Sequence, residues 1–426
     1  MLTRLLQKIT FMGTLGLAAI APEVIPAFPE TKVYAQEPVD LTNKYEDNAF
    51  DQKVDQEIAE LKQKKEKTPE EYISLLSLAN DFRKDQLVNL AMEAQLKLPE
   101  KTPEQKYAKA ITAKLAEEQE TANTFLEEIL NSKEATSRLK SNAVTYLSNE
   151  QTKETAEKAM KQDRTNMAAH LHWFLKDYNE CMELKKQAEE EIMFDEERLE
   201  SKREETLRQY NKTFRQAKTN LNNRKPSEDV LIYILKIQEL AIKGLSAISG
   251  NTDYYDYKDI KNIPKDMEKI DSIHEDRISI FPTSSSYFLR GMHNKGIGTT
   301  RHGTYLDDWP DSDWGGDYDR RRLKRYDRAI EAFKNAEDIE QDEKNRIICK
   351  FYRGRVLLKR ARKTSDKRWD NEHRGRYRIT SFQRKKAKES LELLEEVQRS
   401  HYCTELFNDQ HDEIIKYVYE LKQRLD

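Results

Sequence analysis

The chain has 426 residues, 35% of them charged against 37% hydrophobic, with 12 glycines and 11 prolines. That balance suits long solvated helices and is poor for a sheet-rich fold. A formal net charge of −3 lets global charge select no partner, so electrostatic arguments rest on local asymmetry. Three scattered cysteines, Cys181, Cys349 and Cys403, exclude a disulfide framework or thiolate zinc site and allow one bridge at most.

At the amino end, Arg4 and Lys8 precede an apolar run from Ile9 to Ala21, the anatomy of an export signal. Pro22 disfavours cleavage after Ala21, so the stretch Val33, Tyr34, Ala35 before Gln36 is the preferred processing site. Extended to Ala27, the run approaches membrane-spanning length if Glu23 is tolerated. Residues 1–35 therefore read as a signal peptide or a membrane anchor, and the expected location is secreted or envelope-associated. No other segment is apolar enough to span a membrane. Residues 36–53 are polar without a clear period and read as a flexible lead-in.

From Val54 to Asp163 the apolar and alanine positions fall at helical spacing, interrupted at Thr68-Pro69 and Thr102-Pro103. Proline at the first helical position after a capping threonine starts a helix. The two pairs lie 34 residues apart, a helix-turn-helix repeat period. Between Glu70 and Pro103, Leu75, Leu78, Ala79 and Phe82 give a large, large, small and aromatic series, and Ala91 is the small residue of the next helix. These residues resemble the tetratricopeptide repeat family, with Gln95 departing where that family usually carries an aromatic. Ala122 and Ala156 suggest two weaker copies. The resemblance implies stacked helix pairs over residues 54–165, small residues letting helices cross closely and large ones filling the groove between pairs.

Residues 166–250 differ. Leu171, Tyr178, Ile192 and Leu199, joined by Leu175, Met182 and Tyr210, keep a seven-residue spacing through a highly charged stretch ending near Asn223. That spacing predicts one long helix of about 50 residues with a narrow apolar seam. After Pro226 and Ser227, Val230 to Ile248 is apolar on nearly every face, so this helix must be covered. A coiled-coil-like helical hairpin is expected here, followed by a Tyr-rich linker over residues 251–284.

The repeat pattern returns in residues 285–426. Tyr326, Ala329, Phe333 and Ala336 resemble the aromatic, small, aromatic and small positions of a tetratricopeptide second helix, and Leu289 and Gly291 those of its first. About 30 residues, Gly296 to Lys324, separate them where the family uses a tight turn. A segment from Phe351 repeats the Arg-Gly pair at Gly354. After a second insertion come Ala387, Leu391 and Leu394. Glu405 to Leu425, with Ile414, Ile415, Val418 and Leu421, reads as a terminal capping helix. The expected fold is an all-α solenoid of tetratricopeptide-like helix pairs, with the hairpin between two repeat regions.

Few residues point to chemistry. The acidic, aromatic insertion from Thr304 to Asp319 places Asp307, Asp308, Asp311, Asp313 and Asp317 around Gly315 and Gly316, hard oxygen donors of the kind calcium takes. The spacing fails the standard calcium loop, with Gly315 at a ligand position and no closing glutamate. A solvated loop docked by Trp309 and Trp314, or sugar stacking on those rings, competes with calcium. From Arg320 to Ser390 the sequence holds 25 Lys/Arg against 11 Asp/Glu. Arg320, Arg321, Arg322, Lys324, Arg325, Arg374, Arg376 and Arg378 are candidates for a polyanion. Charge internal to the fold is the competing reading. His170 and His172 point to opposite sides of a helix, and His401, Cys403 and His411 lack a fourth ligand at zinc spacing.

The sequence contains no HExxH, phosphate loop, nucleophile elbow or dinucleotide fingerprint, so no cofactor is expected and enzyme activity is unsupported, although Asp307 and Asp308 could serve as acid and base. The expectation is a non-enzymatic exported scaffold that uses a concave helical-repeat surface to hold a protein or peptide partner. A polyanion-binding envelope protein, and a glycan- or calcium-binding protein working through residues 304–319, are the alternatives.

Overall fold

The computed structural model describes residues 44–45, 48–147, 152–190, 196–222, 228–249, 263–295, 317–363 and 381–407, with 414, 415, 418, 419, 421, 422 and 425. All belong to one unit, Leu41–Asp426. The elements are helices throughout, and no strand occurs among the described residues. In chain order they are α1 (Ala49–Gln63), α2 (Pro69–Phe82), α3 (Lys84–Lys97), α4 (Pro103–Leu115), α5 (Gln119–Asn131), α6 (Ser137–Leu147), α7 (Lys153–Gln162) and α8 (Met167–Glu190). Then follow α9 (Glu196–Asn222), α10 (Glu228–Ser249), α11 (Ile263–Ile280), α12 (Ser284–Lys295), α13 (Asp317–Ile339), α14 (Glu343–Lys363), α15 (Ser381–Arg399) and the single turn α16 (Cys403–Phe407).

Local chemistry starts the helices where the sequence says. Thr68 accepts the Glu71 amide while Glu71 accepts the Thr68 amide, a reciprocal cap ahead of Pro69. Thr102 accepts the Gln105 amide ahead of Pro103, while the Gln105 side chain accepts the Lys101 amide. Gln95, in the place of an aromatic, donates to Thr112 Oγ1 and to the Ala108 carbonyl, 3.4 Å away, tying α3 to α4 by hydrogen bonds instead of a ring.

Each helix packs against the next in chain order. The even-numbered helices also touch, α2 with α4, α4 with α6, α6 with α8, and α8 with α10. Small side chains make this approach possible: Ala79, Ala91, Ala94 and Ala108 are fully buried between helices. The row turns back on its own start, because α10 packs on α1 as well as on α8, α9 and α11. Ile232, Ile234, Leu235 and Ile237 of α10 are fully buried, each contributing about 1.5–3 kcal/mol by leaving water. Gly244 lets α10 cross α8 closely, since a Cβ there would lie 3.3 Å from Cys181 Sγ.

Four sequence expectations are corrected. The heptad stretch is not one long helix: α8 and α9 run antiparallel, with His170 opposite Thr213, Asp177 opposite Thr206 and Glu180 opposite Lys202. A seven-residue seam needs a facing helix, and the chain supplies one by folding back. The expected linker contains α11, whose Ile270 and Ile273 are buried. The expected flexible lead-in holds Tyr45, 9% exposed and stacked on Phe288 at 3.9 Å, with its hydroxyl donating to Glu340; α1 begins soon after. Finally, Phe288, 1% exposed, takes the core place expected for the half-buried Leu289.

In the carboxyl-terminal half, α12 packs on α13 and α14 on α15. Gly291 lies against the Phe333 ring, where a Cβ would come within 2.6 Å, and Gly354 against Leu394 at 3.1 Å. Tyr326, Ala329, Phe333, Ala336 and Ala387 are buried, as are Leu78, Ala79 and Ala91 at the other end; Phe82 and Leu391 are partly buried. Ile414, Val418 and Leu421 are helical and buried, where a closing helix was expected.

Candidate functional site

The interior polar groups hold the fold together. Asp81, at the end of α2 with a side chain 4% exposed, accepts hydrogen bonds from four directions. Tyr146 of α6 donates at 3.1 Å, Tyr233 of α10 at 2.8 Å, His172 of α8 at 3.2 Å and neighbouring Asn80 at 3.0 Å. Burial works to raise this carboxyl, but the facing His172 and these hydrogen bonds hold it below the ordinary range. Near the start of α10, Asp229 pairs with Arg138 of α6 and accepts from Ser74 of α2 at 3.4 Å. The inner face of α2, α6 and α8 is therefore occupied by the chain's own α10.

Asp177, Glu180 and Glu205 bring carboxylate oxygens within 4.8 Å of one another, a separation at which a metal ion could sit. Two ammonium groups already occupy the cluster. Lys153 of α7 reaches Asp177 and Glu180 at 2.7 Å, and Lys202 of α9 reaches Asp177 at 2.6 Å. Burial opposes charge on Lys202, yet Asp177 drives its ammonium above the usual range. The five charges form a staple joining α7, α8 and α9, and a divalent ion would have to displace two lysines.

His170 and His172 go to different neighbours, as their spacing implied: Thr213 and the Arg164 carbonyl for the first, Asp81 for the second. Burial pushes the His170 imidazole down to about 4. His274 is buried with neither ring nitrogen hydrogen-bonded, 5.1 Å from the His293 ring. All three cysteines are free thiols and buried.

Of the sequence-derived candidates, Asp307, Asp308, Asp311 and Asp313, with Trp309 and Trp314, lie outside the described residues, as do Arg374, Arg376 and Arg378 and the whole of residues 1–35. Asp317 and Arg320, Arg321 and Arg322 fall in α13, with side chains outside what is described. Lys324 is exposed. Arg325 is 4% exposed, so it turns inward and does not face an external polyanion, a correction to the sequence reading. Other cations of this region are spent within the fold: Arg353 pairs with Glu337 and Glu389, and Arg360 and Lys386 with Asp327.

A feature the sequence reading passed over opens outward. A cleft of about 780 Å³ runs between α9 and α11. Arg208, Lys212 and Arg215 line it from α9 and Lys269 from α11, with Glu204 the carboxylate among its lining residues. Arg208, Lys212 and Arg215 are exposed, and none has an ion-pair partner among the described residues. Their i, i+4, i+7 spacing puts them on one helix face. The signal was legible: Thr206 to Asn222 holds Arg208, Lys212, Arg215 and Lys218 and no carboxylate. A second exposed feature is the apolar row Val88, Met92 and Leu96 on α3, 46%, 55% and 83% exposed.

Fold and surface together define an all-α protein in which each helix packs on the next, with α10 against α2, α6 and α8 and a basic cleft between α9 and α11. Against known proteins, the chain matches no family model, and no curated protein matches it. No helix among the described residues is long and apolar enough to cross a membrane.

Proposed function

We propose that the chain is an interaction scaffold of tetratricopeptide-like helix pairs, exported through its amino-terminal apolar run, that holds a protein partner on its outer surface. Three things support this reading. Helices that pack pairwise in chain order, with small residues at the crossings, are the elements of such arrays. The apolar run Ile9 to Ala21 behind Arg4 and Lys8 has the anatomy of an export signal. The observation that carries the proposal is the α9/α11 cleft. Arg138, Lys153, Lys202, Arg353, Arg360 and Lys386 are matched by carboxylates, whereas Arg208, Lys212 and Arg215 are left unpaired along an open wall. Val88, Met92 and Leu96 add exposed apolar area of the kind that marks contact surfaces.

Chemical crosslinking in the native envelope, with lysine-reactive reagents and mass spectrometry of the linked peptides, tests the proposal. A protein partner linked through Lys212, Lys218 or Lys269 is expected. Purified chain that turns over a substrate, in cells where no partner is linked to any of its helices, would overturn it.

A further inference from the structure

Resting on the scaffold reading, we infer that the α9/α11 cleft takes an acidic amphipathic peptide segment, with carboxylates at helical spacing, from the partner protein. The distribution of charge favours this ligand. Arg208 and Arg215 are seven residues apart, about 10 Å along the helix axis, with Lys212 between them. A single phosphate group calls for cations that converge on a point. A row spread along one helix face instead meets a row of carboxylates, and Glu or Asp at i, i+4 and i+7 of a facing helix matches it in spacing.

The remaining lining agrees. Asn211, Gln216 and Ser272 offer neutral hydrogen-bonding groups, and partly buried Leu207 gives apolar contact, a combination that a peptide uses and a bare polyanion does not. Nucleic acid is disfavoured because the one aromatic ring of the lining, Tyr210, is 1% exposed and its hydroxyl is committed to Asp276 at 3.0 Å. No base can stack on it. Asp276 is engaged by Tyr210 and Glu275 by Arg290, which leaves Glu204 as the one carboxylate of the lining against Arg208, Lys212, Arg215 and Lys269, so the row keeps a net positive charge.

The test uses the full chain and a fluorescein-labelled amphipathic peptide carrying Glu at i, i+4, i+7 and i+11 on one face and Leu on the adjoining face, read by fluorescence anisotropy. Its Gln-for-Glu counterpart, an oligothymidine and heparin serve as competitors. Expected are binding of the Glu peptide that weakens as salt rises from about 50 to about 300 mM, and a roughly tenfold loss in the triple variant Arg208→Ser, Lys212→Ser, Arg215→Ser. Because the three residues are exposed, the variant should melt as the parent does.

Equal binding of the Glu peptide by parent and triple variant would overturn the inference, as would no binding by the parent. Oligothymidine or heparin binding more tightly than the peptide, with the same loss in the variant, would replace it with a polyanion site. In each of these cases the scaffold reading survives if crosslinked protein partners map to other helices, so the two failures are separable.

Discussion

The two halves of the molecule complete the same kind of helix pairing in different ways. In α1–α10 the even-numbered helices contact one another, α10 packs on α1, α8 and α9, and polar groups from α2, α6, α8 and α10 meet at Asp81. In α11–α15 the packing runs between sequence neighbours, and close approach depends on Gly291 against Phe333 and Gly354 against Leu394. An array can thus close over a helix of its own, fixed by buried hydrogen bonds, or remain a chain of pairs in which missing side chains set the spacing. The first arrangement should be sensitive to loss of polar partners, and the second to added volume.

The largest effect is expected at the polar node. Asp81→Ala strips Tyr146, Tyr233 and His172 of their common acceptor and should cost about 3–5 kcal/mol, because buried donors are left unpaired. Urea unfolding of the variant measures it; a loss near that of an exposed substitution would show that the node does not fix α10.

Acid should weaken the same half next. His170 is held neutral in the fold down to about 4, below its unfolded value near 6.5. Between those values the unfolded chain holds a proton that the folded chain does not. Stability is therefore complete above pH 6.5, falls on acidification, and is lower by about 3 kcal/mol once pH passes 4. Burial lowers His274 of α11 and His293 of α12 too, so the other half adds loss in the same direction. Denaturation midpoints between pH 7 and pH 4 should trace this slope, and His170→Gln should flatten part of it.

In the other half, Gly291→Ala should destabilise by about 2 kcal/mol through overpacking against a ring. Gly354→Ala should cost less, since Leu394 is a flexible side chain that can give. If the two variants unfold at the same denaturant midpoint, ring contact is not what distinguishes the sites. Smallest is the cap: Thr102→Ala removes the acceptor for the Gln105 amide and should lower stability by about 1 kcal/mol, seen as a shift of a few degrees in melting temperature at most.

What could be read in advance follows from how local each determinant is. The starts at Pro69 and Pro103 depend on side chains within three residues, and the threonine-proline pairs announced them. Buried Ala79, Ala91, Phe333 and Ala336 were legible for the same reason, because a helix face is written at short spacing. The reversal between α8 and α9 was not legible from the heptads, since a seam at Leu171, Tyr178 and Leu199 looks alike whether its partner is another helix or the same chain returning. Asp195 followed by Glu196 and Glu197 was the available sign of a fresh start. Asp81 joins residues as far apart as Tyr146 and Tyr233, a convergence that no local spacing encodes. The cationic row of α9 was local and readable; the basic stretch after Arg320 is denser, yet Arg325 is buried and Arg353 and Arg360 are paired.

The central claim is that α10 fills the inner face of the amino-terminal helices and leaves recognition to the outside. Amide hydrogen exchange of the full chain, followed by mass spectrometry, measures this most directly. Peptides spanning Ile232 to Leu245 should be the last to exchange, slower than those of α3, and exchange there should require global unfolding. Exchange of that stretch as fast as α3 under native conditions would show that the groove opens and that α10 is not its fixed occupant.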